Sequence, residues 1–123
     1  MERIGKGVKG IVRKGDHFLV LVKPDGSLDL PGGRVEKGET LDSALHREIY
    51  EETRLKVSKQ EFFQEWSFVK TPNLLIKGIT FVCKFLEGRI KLCEEHKNYY
   101  WVRFDKLHVL KFSREKLNNF RYT

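Results

Sequence analysis

Apolar and polar positions change period several times along the chain. From Gly7 to Arg13 small or apolar residues alternate with others, and His17 to Val22 is a short apolar run. Both read as strands, and Lys14-Gly15-Asp16 between them is a turn signal, which predicts a hairpin. A second turn cluster, Lys23-Pro24-Asp25-Gly26-Ser27, leads to a short strand at Leu28-Asp29-Leu30 that ends at Pro31-Gly32-Gly33. The period then becomes helical. Leu41, Leu45 and Ile49 recur four apart with Ala44 between them, predicting a helix over 40–53 with one apolar stripe. Glu39, Thr40, Asp42 and Ser43 give its start acidic and capping character. Longer strands follow over 61–69 and 76–86, the second rich in β-branched and aromatic residues. A turn at Glu87-Gly88 leads to Ile90–Leu92, a strand is expected over 99–104, and a short amphipathic helix over 113–120 capped by Ser113. Strands, one strong helix, more strands and a terminal helix predict a mixed α/β fold.

Composition narrows the class. A chain of 123 residues with 40% apolar residues has the size of one domain and enough core to exclude a disordered chain. Two cysteines make no disulfide framework and read as reduced thiols. No run approaches a membrane span, and Met1 to Gly10 has no apolar core of the signal-peptide kind, so the expected location is cytoplasmic with no membrane partner. The net charge of +7 points to an anionic partner: nucleotide, polyphosphate or nucleic acid.

That charge is unevenly placed. Between Glu36 and Glu52 six acids stand against two bases, a net −4 inside a basic chain. Glu48 lies four residues before Glu52 and three before Glu51, so these carboxylates crowd one side of the helix at the edge of the apolar stripe. Arg47, four before Glu51, offsets one pair and cannot neutralise all three. Two readings stand: a solvated acidic face with an internal salt bridge, or a site for a hard divalent cation such as Mg²⁺. Gly33, with no side chain in the way, is placed to add a backbone carbonyl to such a site.

The wider spacing favours the second reading. From Gly33 the chain runs five residues to Glu39, seven more, then Arg47-Glu48-Ile49-Tyr50-Glu51-Glu52-Thr53-Arg54-Leu55. This resembles the Nudix box of the MutT-like Nudix hydrolases, Gly-x5-Glu-x7-Arg-Glu-U-x-Glu-Glu-x-Gly-U with U a bulky aliphatic, at every specified position but one. The lead-in Leu30-Pro31-Gly32-Gly33-Arg34-Val35-Glu36, the preceding hairpin and a late Tyr100-Trp101-Val102 strand are also similar. The resemblance implies a single Nudix domain over residues 1–123, an α/β/α sandwich with a mixed sheet, and Mg²⁺- or Mn²⁺-dependent hydrolysis of a nucleoside diphosphate derivative. It implies Glu48, Glu51 and Glu52 as metal ligands with the Gly33 carbonyl and Glu39 in support, and Arg47 holding the carboxylates in register. The departure is Arg54 where the family has Gly. That Gly ends the helix in a left-handed conformation, which costs a non-glycine residue roughly 1 kcal/mol.

In this chemistry metal ions offset diphosphate charge and activate water, and a base takes the proton. Candidate bases are Glu48 or Glu52 within the box and Glu94 or Glu95 beyond it. The segment Glu95-His96-Lys97-Asn98-Tyr99-Tyr100-Trp101 resembles one in diadenosine tetraphosphate hydrolases, where the Tyr stacks on a base. Tyr99 is therefore read as a base-stacking or a core aromatic, His96 as a phosphate contact or a turn cap, and Arg34 as a phosphate contact or a solvated charge. Trp66 and Phe68, on a strand, read as core or as the lining of a base pocket, and Cys83 as core. Residues 96–123 carry a net +5, a solvated basic surface or a steering field for polyanions, the 5′ triphosphate of RNA included. Substrate classes consistent with the pattern are nucleoside triphosphates, diadenosine polyphosphates, ADP-ribose and nucleotide sugars, and triphosphate-ended RNA. A nucleotide-binding module without turnover is the non-enzymatic alternative, and the chain is expected as a monomer or homodimer.

Overall fold

A computed structural model describes residues 3–110. Seven strands and one α-helix appear in the order β1 (Arg3–Lys14), β2 (His17–Val22), β3 (Leu28–Asp29), β4 (Gly32–Arg34), α1 (Leu41–Thr53), β5 (Lys56–Thr71), β6 (Leu74–Glu87) and β7 (Asn98–Arg103), followed by a 3₁₀ helix at Phe104–Val109. The sheet runs β3-β2-β1-β6-β5, with β4 also on β1 and β7 also on β2. β1 and β6 pair in parallel from Arg3↔Leu74 to Arg13↔Lys84, and every other pairing is antiparallel. The expected β1–β2 hairpin forms, joined at Arg13↔Phe18 and Lys14↔His17.

Alternation sorts the sheet into two apolar faces. Val8 and Val12 of β1 and Leu19 and Leu21 of β2 pack against Ala44, Leu45 and Ile49, so the predicted stripe buries α1 on one face. Ile11, Phe18 and Val20 point the other way and meet Leu107 of the 3₁₀ helix. Trp66, Leu74 and Ile76 form a separate cluster, in which Trp66 stacks on Phe68 and donates its indole N–H to Thr80 Oγ1 at 3.0 Å. Trp66 and Cys83 are therefore core residues, and burial pushes the Cys83 thiol up to about 12.

Several boundaries move, each for a physical reason. β5 extends over polar residues at both ends because backbone pairing with β6 holds it, through several register shifts. β7 stops one residue early, since Phe104 turns in to meet the Phe18 ring edge-on at 5.8 Å. β4 was not anticipated: its Gly-Gly-Arg has no strand-like side-chain pattern and is held by pairing with Gly7, Val8 and Lys9. The expected helix over 113–120, and residues 111–123 of the basic 96–123 stretch, lie outside the described residues.

Thr40 caps α1, its side chain accepting the Ser43 N–H at 3.1 Å. At the other end Arg54 adopts φ +67°, ψ 13°, and its N–H bonds to the Tyr50 carbonyl at 2.7 Å. The helix thus terminates in the left-handed geometry a glycine would adopt, with Arg54 carrying the steric cost and its guanidinium 5.3 Å from the Tyr50 ring centre. Arg54→Gly is expected to stabilise the protein by about 1 kcal/mol, a rise in Tm of about 4 °C, with catalytic rate unchanged. Thermal unfolding without a gain, or a large change in rate, would contradict this account of the helix end.

Candidate active site

The stripe that seats α1 on the sheet also decides where its carboxylates go. Glu48 and Glu52 sit one turn apart beside Leu45 and Ile49, and the packing carries them against the chain entering and forming β4. Glu52 is only 6% exposed, and its Oε1 accepts the Gly32 N–H at 2.7 Å. A Cβ at Gly33 would overlap the Glu48 carboxylate, and one at Gly32 (φ +144°) would overlap the Val8 carbonyl oxygen. Gly32 is therefore required for β4 to lie this close to β1, and Gly33 leaves the space that the Glu48 carboxylate occupies.

Arg47 is committed mainly to neighbours of those carboxylates. Its Nε and Nη2 donate to the two Glu39 oxygens at 2.7 and 2.9 Å, Nη2 also to the Arg34 carbonyl at 3.0 Å, and Nη1 to Glu51 at 2.8 Å. Glu48 lies farther away, 3.6 Å from Nη1. Glu39 in turn accepts the Glu36 N–H at 2.7 Å. Both its oxygens are thus engaged, and these bonds, that from Arg47 first, hold its carboxyl below the usual range. The pair staples the 34–39 loop to α1 and presents Glu51.

A second charged group lies beneath. Lys9, 4% exposed, reaches Asp29 at 3.2 Å and the carbonyls of Leu30 and Gly32 at 2.9 and 3.3 Å. Asp29, 2% exposed, also faces His96 Nε2 at 3.5 Å. Sequence reasoning passed over Lys9 and Asp29. The signal was a lysine inside Val8-Lys9-Gly10-Ile11 and an aspartate between two leucines, since opposite charges in apolar strands need partners.

The opposite wall comes from the loop after β6. Lys91 N–H bonds to Thr53 O at 3.0 Å and Cys93 N–H to Glu52 O at 3.3 Å, so the loop satisfies carbonyls that the end of α1 leaves open. Glu48, Glu51, Glu52, Cys93, Glu94 and Glu95 line one cavity of about 370 Å³. The structure thus brings together Glu48, Glu51, Glu52 and Glu95, with Gly33 touching Glu48. Glu39 and Arg47 lie behind them. Arg34, Tyr99 and His96 do not line this cavity. The Arg34 guanidinium lies over Gly5, Tyr99 is 37% exposed on edge strand β7, and His96 is buried with its N–H on the Cys93 carbonyl.

Burial, above all, pushes the Glu52 carboxyl up to about 7 and raises that of Glu48 as well. Five carboxylates line the cavity, and against them stand Arg47, which bonds to Glu51 and lies 3.6 Å from Glu48, and Lys9, which is also held by Asp29 and backbone carbonyls, so negative charge in the cavity exceeds what these two cations offset. Apart from the Cys93 sulfur on the facing loop, the side-chain donors are carboxylate oxygens around a space large enough for a hydrated ion, which fits a hard divalent cation that keeps several waters. The ordinary carboxyl value is 4.5. Between that and about 7, the folded protein holds a proton the unfolded chain has lost, so metal-free stability falls as pH rises through this window. Glu52→Gln removes this titration and keeps an acceptor for the Gly32 N–H. In EDTA it is expected to be more stable than wild type by on the order of 3 kcal/mol at about pH 8, and nearly equal at about pH 4.5. Urea denaturation showing the same pH dependence for both proteins would contradict the desolvation of Glu52.

Comparison with known proteins agrees with this geometry. The NUDIX domain family model matches residues 3–122. An ADP-ribose pyrophosphatase of Methanocaldococcus jannaschii is 30% identical over 115 residues, covering 89% of this chain and 68% of the relative. An NAD-capped RNA hydrolase NudC of Mannheimia succiniciproducens is 38% identical over 77 residues, and the match spans 60% of this chain but only 27% of that protein. Among solved structures, a MutT protein from Methanosarcina mazei Go1 superposes with a TM-score of 0.79 at 24% identity, covering 93% of this chain and 88% of its own, which supports the fold. With the box residues placed as described and the family model spanning nearly the whole chain, the protein belongs to the NUDIX domain family and is a Nudix hydrolase.

Proposed function

We propose that this Nudix pyrophosphohydrolase cleaves the diphosphate linkage between a nucleoside and a second moiety, with ADP-ribose the first candidate, using Mg²⁺ or Mn²⁺ held by Glu48, Glu51 and Glu52. The observation that carries the reading is the cavity itself: buried helix carboxylates, raised by desolvation, with too little positive charge of the protein's own against them. The substrate class is supported by the names of the two relatives, since ADP-ribose and an NAD cap each hold an internal diphosphate joined to adenosine.

When bound, the divalent ion supplies charge neutralisation on the diphosphate and acidifies water. The chain's residues do the positioning. Arg47 and Glu39 fix the loop that carries Gly32 and Gly33, and the Gly32 N–H orients Glu52. Glu94 and Glu95 are both exposed on the facing wall, while Glu52 is already bonded, so in this reading a glutamate of that loop takes the proton from the attacking water, Glu95 being the first candidate. Arg34, solvent-facing on β4, suits a phosphate contact beyond the cavity.

The test is a substrate panel in Mg²⁺: ADP-ribose, NAD-capped RNA, nucleotide sugars, nucleoside triphosphates, diadenosine polyphosphates and triphosphate-ended RNA. ADP-ribose is expected to yield AMP and ribose 5-phosphate, EDTA to abolish turnover, and Glu52→Gln to lower kcat/KM by about a hundredfold or more. Glu95→Gln is expected to lower kcat. Turnover indifferent to EDTA and to Glu52→Gln would overturn the metal assignment. A tenfold higher kcat/KM for nucleoside triphosphates than for ADP-ribose would overturn the substrate class.

A further inference from the structure

The loop facing the helix carboxylates carries a donor set of a different chemical kind. A Cys93 sulfur, a Glu95 carboxylate oxygen and a His96 ring nitrogen lie within 4.8 Å of one another. The backbone fixes these residues firmly. Besides the two bonds to the end of α1, His96 N–H bonds to Cys93 O at 3.3 Å and Lys97 N–H to Val22 O at 2.8 Å.

The imidazole has the surroundings of a metal-ligating histidine. It is 6% exposed, and its Nε2 faces the buried Asp29 carboxylate at 3.5 Å, with Asp29 itself held by Lys9. A carboxylate on that side draws the ring proton to Nε2, leaving the Nδ1 lone pair directed at Cys93 Sγ, 3.8 Å away. The thiol lies at the end of a cavity that already holds four other carboxylates besides Glu95's, and burial raises its pKa, as do the charges of Glu52 and Glu95. A cation reverses that balance, because metal binding displaces the thiol proton.

We propose that Cys93 Sγ, His96 Nδ1 and a Glu95 oxygen bind a thiophilic divalent ion of the zinc class, with water at the remaining position. Binding releases the Cys93 proton to solvent and forms a sulfur–metal bond, with no change of oxidation state. Sulfur and imidazole select Zn²⁺ over the hard ions suited to the helix carboxylates. Closing the donors from their present separations to bonding distance requires small side-chain rotations within the loop. A consequence that rests on the function proposed above is inhibition: Zn²⁺ here takes Glu95 out of its role as base.

The test uses metal-free full-length protein titrated with Co²⁺ as a spectroscopic substitute. The expected result is a near-ultraviolet thiolate-to-cobalt charge-transfer band that saturates at one equivalent and is removed by Zn²⁺. Cys93→Ser is expected to lose the band, His96→Asn to weaken binding at least tenfold, and Glu52→Gln to keep the band. In wild-type protein, Zn²⁺ is expected to slow alkylation of Cys93 by iodoacetamide, read by peptide mapping, so the proposal does not depend on any variant folding. No charge-transfer band, a band that survives Cys93→Ser, or alkylation unaffected by Zn²⁺ would overturn it. Zn²⁺ is further expected to inhibit Mg²⁺-supported turnover at least tenfold less potently in Cys93→Ser, the inhibition of each protein being referred to its own rate without Zn²⁺. Failure of every substrate would refute the proposed function while leaving the cobalt and alkylation results to decide this site.

Discussion

The structure depends on seating two carboxylates, those of Glu48 and Glu52, where water is scarce. Desolvating a charged group is costly, and the cations nearest to them, Arg47 at 3.6 Å from Glu48 and Lys9 near Glu52, do not outweigh it: both carboxyls are raised, burial being the first cause. What compels the placement is the apolar stripe. Burying Ala44, Leu45 and Ile49 fixes both the position and the rotation of α1, and the residues at the stripe's edge have nowhere to go but against Gly32 and Gly33. Packing energy from an ordinary helix–sheet interface thus sustains a local electrostatic strain, as expected where a fold departs from its own rules at a functional site.

The surrounding charges keep that strain in place. Arg47 has most of its donors turned toward Glu39, Glu51 and a loop carbonyl, and so it organises the site from behind. Lys9 and Asp29 lie under the glycine turn as a buried pair whose reach extends to His96 on the far loop. Removing either partner of such a pair leaves an uncompensated buried charge, which makes this layer a rigid platform. The loop from Lys91 to His96 closes the cavity because the last carbonyls of α1 need donors, and its N–H groups supply them. The two walls of the site are therefore connected by the termination of one helix.

Local features of this design were legible in the sequence. Helical spacing alone places Glu48, Glu51 and Glu52 together, and the same periodicity gives the buried stripe and the Thr40 cap. The β1–β2 hairpin follows from its turn residues. What depends on distant pairing was not legible. Nothing in Gly32-Gly33-Arg34 announces a strand, because β1 rather than side-chain pattern holds it. The parallel pairing of β1 with β6 joins segments about seventy residues apart, and the Lys9–Asp29 pair spans twenty. Glu39 shows the limit of linear spacing: in the motif it reads as a supporting ligand, yet the fold turns both its oxygens to Arg47 and the loop backbone. Tyr99 and Arg34 fall outside the cavity for a similar reason, since strand direction and edge position, not the identity of the residue, decide where they stand.

The central claim is that the carboxylates of α1 and the glycine turn beside them form one seat for a hard divalent ion. The most direct measurement is paramagnetic broadening of backbone amide resonances by substoichiometric Mn²⁺. Selective loss of signals from Gly32, Gly33 and residues 48–53, with the β5–β6 turn unaffected, is the predicted result. Broadening centred on other acidic surfaces, such as Glu61 and Glu65 of β5, or uniform weak broadening without a centre, would contradict the account.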